Sequence, residues 1–93
     1  MNLEGKVVVI TGGGRGLGRA FASELADKGA NLALVDLNQD DLNTTKEIAL
    51  AKGVKAQTYV TNVAKEHEVV SLFDQIVKDF GHVDGLINNA GIT

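Results

Sequence analysis

An α/β fold, in which a parallel sheet is covered by helices on both faces, is predicted by three features of the sequence. Short β-branched runs alternate with longer stretches whose apolar residues recur at helical spacing, in the order βαβαβαβ. The first run, Val7-Val8-Val9-Ile10, is continuously apolar, as a parallel strand buried on both sides must be. A glycine cluster follows that run directly and opens the next helical stretch.

The first strand is expected over 6–11. Leu17, Phe21 and Leu25, with Ala20 and Ala26, make the apolar face of the first helix, and Gly29 stands where a left-handed residue would close it. The second strand runs over 31–35. Asn38 is placed to cap a second helix, with Asp40 and Asp41 in its first turn and Leu42, Thr45, Ala49 and Ala51 following to Gly53. In the third strand, 54–60, Ala56, Thr58 and Val60 alternate with Lys55, Gln57 and Tyr59, the pattern of a strand near a sheet edge. Val69, Leu72, Phe73, Ile76, Val77 and Phe80 mark the clearest amphipathic helix, ended by Gly81, and a fourth strand follows over 83–87.

Right-handed crossovers between such units give the strand order 3-2-1-4, a Rossmann-type parallel sheet flanked by helices. The switch point then lies between the first and fourth strands, where the loops 11–16 and 88–91 meet. Residues 1–93 read as the N-terminal half of a Rossmann-type dinucleotide-binding domain, truncated after the fourth strand, whose outer edge would be unpaired.

Composition narrows the function. Apolar residues make up 44% and charged residues 23% of the chain, the balance of a folded domain and not of a disordered tail. The net charge of −3 and the absence of any Lys or Arg run argue against nucleic acid or an anionic membrane as partner. There is no cysteine, so disulfides and thiolate chemistry are excluded, and a reducing cytoplasm is the default location. His67 and His82 lack metal-ligand spacing, and no metal site is expected. Both, with Asp84, Glu66, Glu68, Asp74 and Asp79, read as solvated surface.

The segment Thr11 to Gly18, TGGGRGLG, is where chemistry concentrates. Bare backbone amides at the head of a helix attract a diphosphate, and glycines let the backbone come close to it. A phosphate loop of the nucleotide-hydrolysing kind is excluded, because Gly13 and Gly18 are followed by Arg19 and Ala20 where Lys and Ser or Thr are required. The G-x-G-x-x-G dinucleotide fingerprint also fails, since its third glycine falls on Leu17. A phosphoacceptor domain would need acidic residues after the first strand, where Thr11-Gly12 stands.

What fits is T-G-x-x-x-G-x-G at Thr11, Gly12, Gly16 and Gly18, preceded by Leu3-x-Gly5-Lys6 and followed at the end of the fourth strand by Asn88-Asn89-Ala90-Gly91. These features resemble the short-chain dehydrogenase/reductase family along the whole chain. Within it, the glycine loop together with Asn89 to Thr93 is most similar to the 3-oxoacyl-[acyl-carrier-protein] reductases. The resemblance implies an oxidoreductase that uses a nicotinamide dinucleotide to reduce a ketone or oxidise a secondary alcohol, and a homo-oligomer, tetrameric in the parent family. It implies cofactor contacts at Gly12, Gly14, Arg15, Gly16, Leu17, Gly18, Asp36, Asn62, Val63, Asn89, Ala90 and Gly91.

Asp36, ending the second strand, is placed to accept hydrogen bonds from the adenosine ribose and to repel a 2′-phosphate, which favours NAD(H). Arg15 argues for NADP(H), because the NADP-preferring relatives often carry a basic residue there. A carboxylate against a dianionic phosphate outweighs it, and Arg15 is free to pair with Asp36 or solvent. Asn62-Val63 stands where the family usually has Asp-Val against the adenine amino group, so that contact is expected to be weaker. Ala64 leaves the following helix without a side-chain cap unless Thr61 or Asn62 supplies one.

The family's Tyr-x-x-x-Lys pair and its Ser have no counterpart in the sequence. The residue four positions after Tyr59, the only tyrosine, is Val63. No catalytic residue is assigned, and the 93-residue chain alone is expected to be inactive. The alternative is a stand-alone nucleotide-binding or interaction module without redox activity.

Overall fold

The computed structural model describes residues 2–90. Its elements are β1 (Val7–Thr11), α1 (Gly16–Asp27), β2 (Asn31–Asp36), α2 (Gln39–Ala51), β3 (Ala56–Val60), α3 (Glu66–Phe80) and β4 (Gly85–Asn88). The four strands form one sheet in the order β3-β2-β1-β4. Every pairing is parallel: Val9 lies beside Ala33 on one side and Leu86 on the other, and Leu34 lies beside Thr58.

Alternation along the two central strands sends side chains to two separate cores. Val8, Ile10, Leu32 and Leu34 pack with Ala22 and Ala26 of α1 and Leu42 and Ala49 of α2. Val9, Ala33 and Val35 pack with Leu72 and Ile76 of α3. Because both faces are covered, no position of β1 can be polar until Thr11, which explains the unbroken apolar run.

Helix ends follow local chemistry. The Asn38 side chain accepts from the Asp41 N–H at 3.0 Å and so begins α2. Gly81, at φ 89°, ends α3 in the left-handed region where a side chain is disfavoured. Before α3, Asn62 Oδ1 accepts from the Ala64 N–H at 3.0 Å, and the helix starts two residues later than Ala64 with no side-chain cap on Lys65.

Four expectations are corrected. The buried stripe of α1 is Gly18, Ala22 and Ala26, while Leu17 is 56% exposed and Ala20 is also exposed. Small residues face the sheet because the helix approaches the β1 loop too closely for large ones. On α3, Val77 is exposed, as no described element covers that side. At the end of β3, Val60 is exposed and its neighbour Tyr59 turns inward onto the α3 core. Asp84 is not a bystander: its Oδ2 accepts from the Val7 N–H at 2.8 Å and lies 2.9 Å from His82 Nε2, tying the approach to β4 to the start of β1. No described helix is long and apolar enough to cross a membrane.

Candidate functional site

The carboxyl ends of β1, β2, β3 and β4 open onto one crevice of about 490 Å³, a size within the range of small-molecule sites. Gly12, Arg15, Gly16 and Leu17 form one wall, Val35, Asp36 and Leu37 the next, Thr61 to Ala64 the third, and Asn89 and Ala90 the floor beside β1.

The glycine wall leads into the head of α1. Arg15, the residue before the helix, makes no side-chain capping bond, and the first turn carries no acidic residue. The first-turn amides therefore have neither a helical acceptor nor a carboxylate in front of them, which is the electrostatic condition for holding an anion. Gly12 and Gly16 adopt φ of 68° and 59°, so the chain reaches this position through left-handed turns.

Not every amide of the loop is bare, contrary to expectation. The Gly13 N–H donates to the Val35 carbonyl at 2.9 Å, and the Gly14 N–H donates to Asp36 Oδ2 at 2.9 Å. The loop is thus stitched to the end of β2 through its middle, and what remains available is its exit into α1. Gly14 and Gly18 do not line the crevice. A Cβ on Gly14 would lie 2.7 Å from Asp36 Oδ2, and one on Gly18 would lie 1.9 Å from the Gly12 carbonyl oxygen. Their glycine character permits close packing behind the wall.

Asp36 is held by two donors. Besides Gly14, the Leu37 N–H donates to Oδ1 at 2.8 Å, so the carboxylate is fixed at the end of β2 with its remaining acceptor capacity toward the crevice. Arg15 pairs neither with Asp36 nor only with solvent, as had been expected. Its Nε lies 4.0 Å from Asp41 Oδ2 on α2, with 82% of its side chain exposed. Two carboxylates, Asp36 in the crevice wall and Asp41 behind it, therefore stand beside one solvent-exposed cation.

The floor is assembled by side chains of the two motifs. Thr11 Oγ1 donates to Asn88 Oδ1 at 3.0 Å and accepts from the Ala90 N–H at 3.2 Å. Asn89 Nδ2 donates to the Gly12 carbonyl at 3.2 Å. Asn89 Oδ1 is buried and has no partner among the described residues. Gly91, also expected at the site, lies outside the described residues. Asn62 and Val63 do line the crevice, and Asn62 spends one acceptor site on Ala64. The sequence reading did not single out Leu37, whose side chain is 65% exposed beside Asp36; an apolar residue directly after an acidic strand end was the available signal.

Tyr59 lies away from the crevice. Its hydroxyl donates to Asp79 Oδ2 at 2.7 Å across to α3. Burial, then the hydrogen bond to Asp79 and that residue's charge, raise its pKa well above the ordinary tyrosine value.

A parallel sheet with a glycine loop at the switch point of order 3-2-1-4 defines the Rossmann-type class. The chain belongs to the short-chain dehydrogenase family, whose model matches residues 6–93. It is 44% identical over 89 residues to the levodione reductase of Leifsonia aquatica, which covers 94% of this chain and 33% of the relative. It is 42% identical over 89 residues to the 3-oxoacyl-[acyl-carrier-protein] reductase of Staphylococcus epidermidis, covering 95% of this chain and 36% of the relative. Among solved structures, NAD+-bound xylitol dehydrogenase superposes with a TM-score of 0.89 at 38% identity, covering 92% of this chain and 33% of that one. A metagenomic short-chain oxidoreductase in complex with NADP superposes with a TM-score of 0.90 at 28% identity, covering 96% and 40%. The chain thus spans about a third of the length of the relatives it matches.

Proposed function

We propose that this chain holds a nicotinamide dinucleotide in the crevice between β1 and β4, as the cofactor-binding part of an oxidoreductase acting on a ketone or secondary alcohol. The observation that carries the reading is the uncapped head of α1 facing the same crevice as the fixed Asp36 carboxylate. The first is suited to a diphosphate and the second to a ribose diol.

In this reading the first-turn amides of α1, reached through Gly12 and Gly16, hold the diphosphate. Asp36 accepts from the adenosine ribose hydroxyls, with Leu37 and Val63 flanking the adenine and Asn62 facing its amino group. Asn89 and Ala90 floor the passage toward the nicotinamide. The bound cofactor supplies or accepts a hydride; this chain's residues bind and orient it. NAD(H) is preferred over NADP(H), because a 2′-phosphate would meet Asp36 with only a solvent-exposed Arg15 to offset it.

Among the described residues no tyrosine lines the crevice. Tyr59 is committed to Asp79 and held protonated on another face, so it does not replace the family's tyrosine. The 93 residues alone are therefore inactive in hydride transfer, which also keeps the reading of a binding module without redox chemistry in view. For the substrate, a 3-oxoacyl thioester agrees with the similarity of residues 89–93 to the acyl-carrier-protein reductases and with the name of the Staphylococcus relative. Relatives at 44% and 38% identity are named for levodione and xylitol, so the class of carbonyl or secondary alcohol is as far as the reading extends.

Titration calorimetry with NADH, NADPH and ADP-ribose tests the proposal. Saturable binding of NADH, weaker binding of NADPH, and retention of ADP-ribose are expected. No binding of any of the three would remove it.

A further inference from the structure

Arg19 is absent from the crevice lining, yet it determines how one wall of the crevice is presented. It lies in the first turn of α1, half-buried. Its Nε donates to Thr45 Oγ1 at 3.0 Å, and its Nη2 donates both to the Gly14 carbonyl and, at 3.2 Å, to the Asp41 carbonyl. Thr45 is fully buried on α2, and its hydroxyl lies within donating distance of the Gly14 carbonyl at 3.0 Å and of the Asp41 carbonyl at 3.3 Å, the former being the shorter. One backbone oxygen of the glycine loop is therefore gripped by two side chains on its α2 side.

Peptide planarity gives this grip a consequence on the opposite side. The Gly14 carbonyl and the Arg15 N–H belong to one trans peptide unit and point in opposite directions. Drawing the carbonyl toward Thr45 turns the Arg15 N–H away from α2, at a residue that lines the crevice. Every hydrogen-bond acceptor of Arg19 is a neutral oxygen, and among the described residues no carboxylate oxygen lies within 4.0 Å of its guanidinium. The guanidinium thus stands behind the loop in no direct ion pair, with the Asp36 and Asp41 carboxylates flanking Gly14 nearby.

We infer that Arg19, together with Thr45, is a positioning residue for the dinucleotide: the pair aims the Arg15 amide at the crevice. This deepens the proposed function and rests on it. A purely structural tie between α1 and α2 would leave the ligand response of the Arg15 amide unaltered, which makes the two roles separable.

The experiment titrates ADP-ribose into the protein and follows backbone amide resonances, with the dissociation constant measured in parallel. In the unaltered protein the amides of Arg15 and Leu17 both shift. Arg19→Met weakens ADP-ribose about tenfold, the size of one lost charge-assisted hydrogen bond. Thr45→Val weakens it about threefold, a fraction of such a bond, and abolishes the Arg15 response while sparing that of Leu17. Thr45→Ser restores both. If Arg19→Met does not fold, the Thr45 pair decides alone. Unchanged binding in the variants, or an Arg15 amide that stays silent in the unaltered protein while Leu17 responds, overturns the inference and leaves the function standing. Silence of every loop amide in the unaltered protein removes both together.

Discussion

Gly14 and Asp36 are joined by a 2.9 Å hydrogen bond from the backbone N–H of one to Oδ2 of the other, so the glycine loop and the end of β2 form one rigid corner. The same carboxylate is already held by Leu37, which leaves it no freedom to swing away from a ligand. Asp36→Asn keeps the shape and removes the charge. It should weaken NADH by about tenfold, one charge-assisted hydrogen bond, and narrow or reverse the margin over NADPH. Paired calorimetric titrations give the ratio; an unaltered ratio would show that Asp36 does not face the ribose.

Gly18 and Gly53 provide a contrast between two reasons for being glycine. A Cβ at Gly18 would lie 1.9 Å from the Gly12 carbonyl oxygen, a backbone atom that cannot step aside, whereas Gly53 has nothing within 4 Å but a φ of 87°. Gly18→Ala should cost about 3 kcal/mol or more, and Gly53→Ala about 1 kcal/mol. Urea unfolding of both variants checks the order, and equal costs would mean that the loop relaxes.

Asn38 supports α2 and, at one remove, the clamp on the glycine loop, because the Asp41 whose N–H it accepts also offers its carbonyl to Arg19. Asn38→Ala should lower stability by about 1 kcal/mol, with Asn38→Asp close to the original. Thermal unfolding distinguishes the two.

Tyr59 makes the alkaline limit of stability legible. Its folded-state pKa is raised above the ordinary 10.0, so above that pH the unfolded chain releases a proton that the folded chain retains. The unfolded state then binds fewer protons, and stability falls as pH rises from about 10 upward. Tyr59→Phe should remove this part of the decline. Denaturant curves at pH 9 and pH 11 for the two proteins should differ in slope with pH; identical slopes would show that the Asp79 contact does not persist in solution.

The topology could be read from the sequence because parallel strands covered on both faces must be apolar throughout, and Val7 to Ile10 and Leu32 to Val35 are. The glycine loop was legible for a related reason, since TGGGRGLG has few structural solutions between a buried strand and a helix. Side-chain facing was less so. Leu17 falls at helical spacing with Phe21 and Leu25, and period alone cannot tell that Gly18 must sit against Gly12, which rotates Leu17 outward. The pairings of Arg15 with Asp41, Arg19 with Thr45 and Asp84 with Val7 were unreadable, because each joins residues far apart in the chain. Most of the crevice lining came from motif positions, Leu37 excepted; the bonds that close off Gly13 and Gly14 came only from the fold.

Thr11 and Asn88 are 77 positions apart, and their hydrogen bond joins the loop to the floor. Bringing such distant segments together costs more chain entropy than pairing β1 with β2 or β2 with β3, whose partners are closer in sequence, so β4 has the least local encouragement to join the sheet. A folding intermediate that has paired β1, β2 and β3 would possess the glycine turn but no opposing surface. The proposed site is therefore complete only once β4 has docked, and the appearance of binding in a refolding experiment serves as a clock for that step.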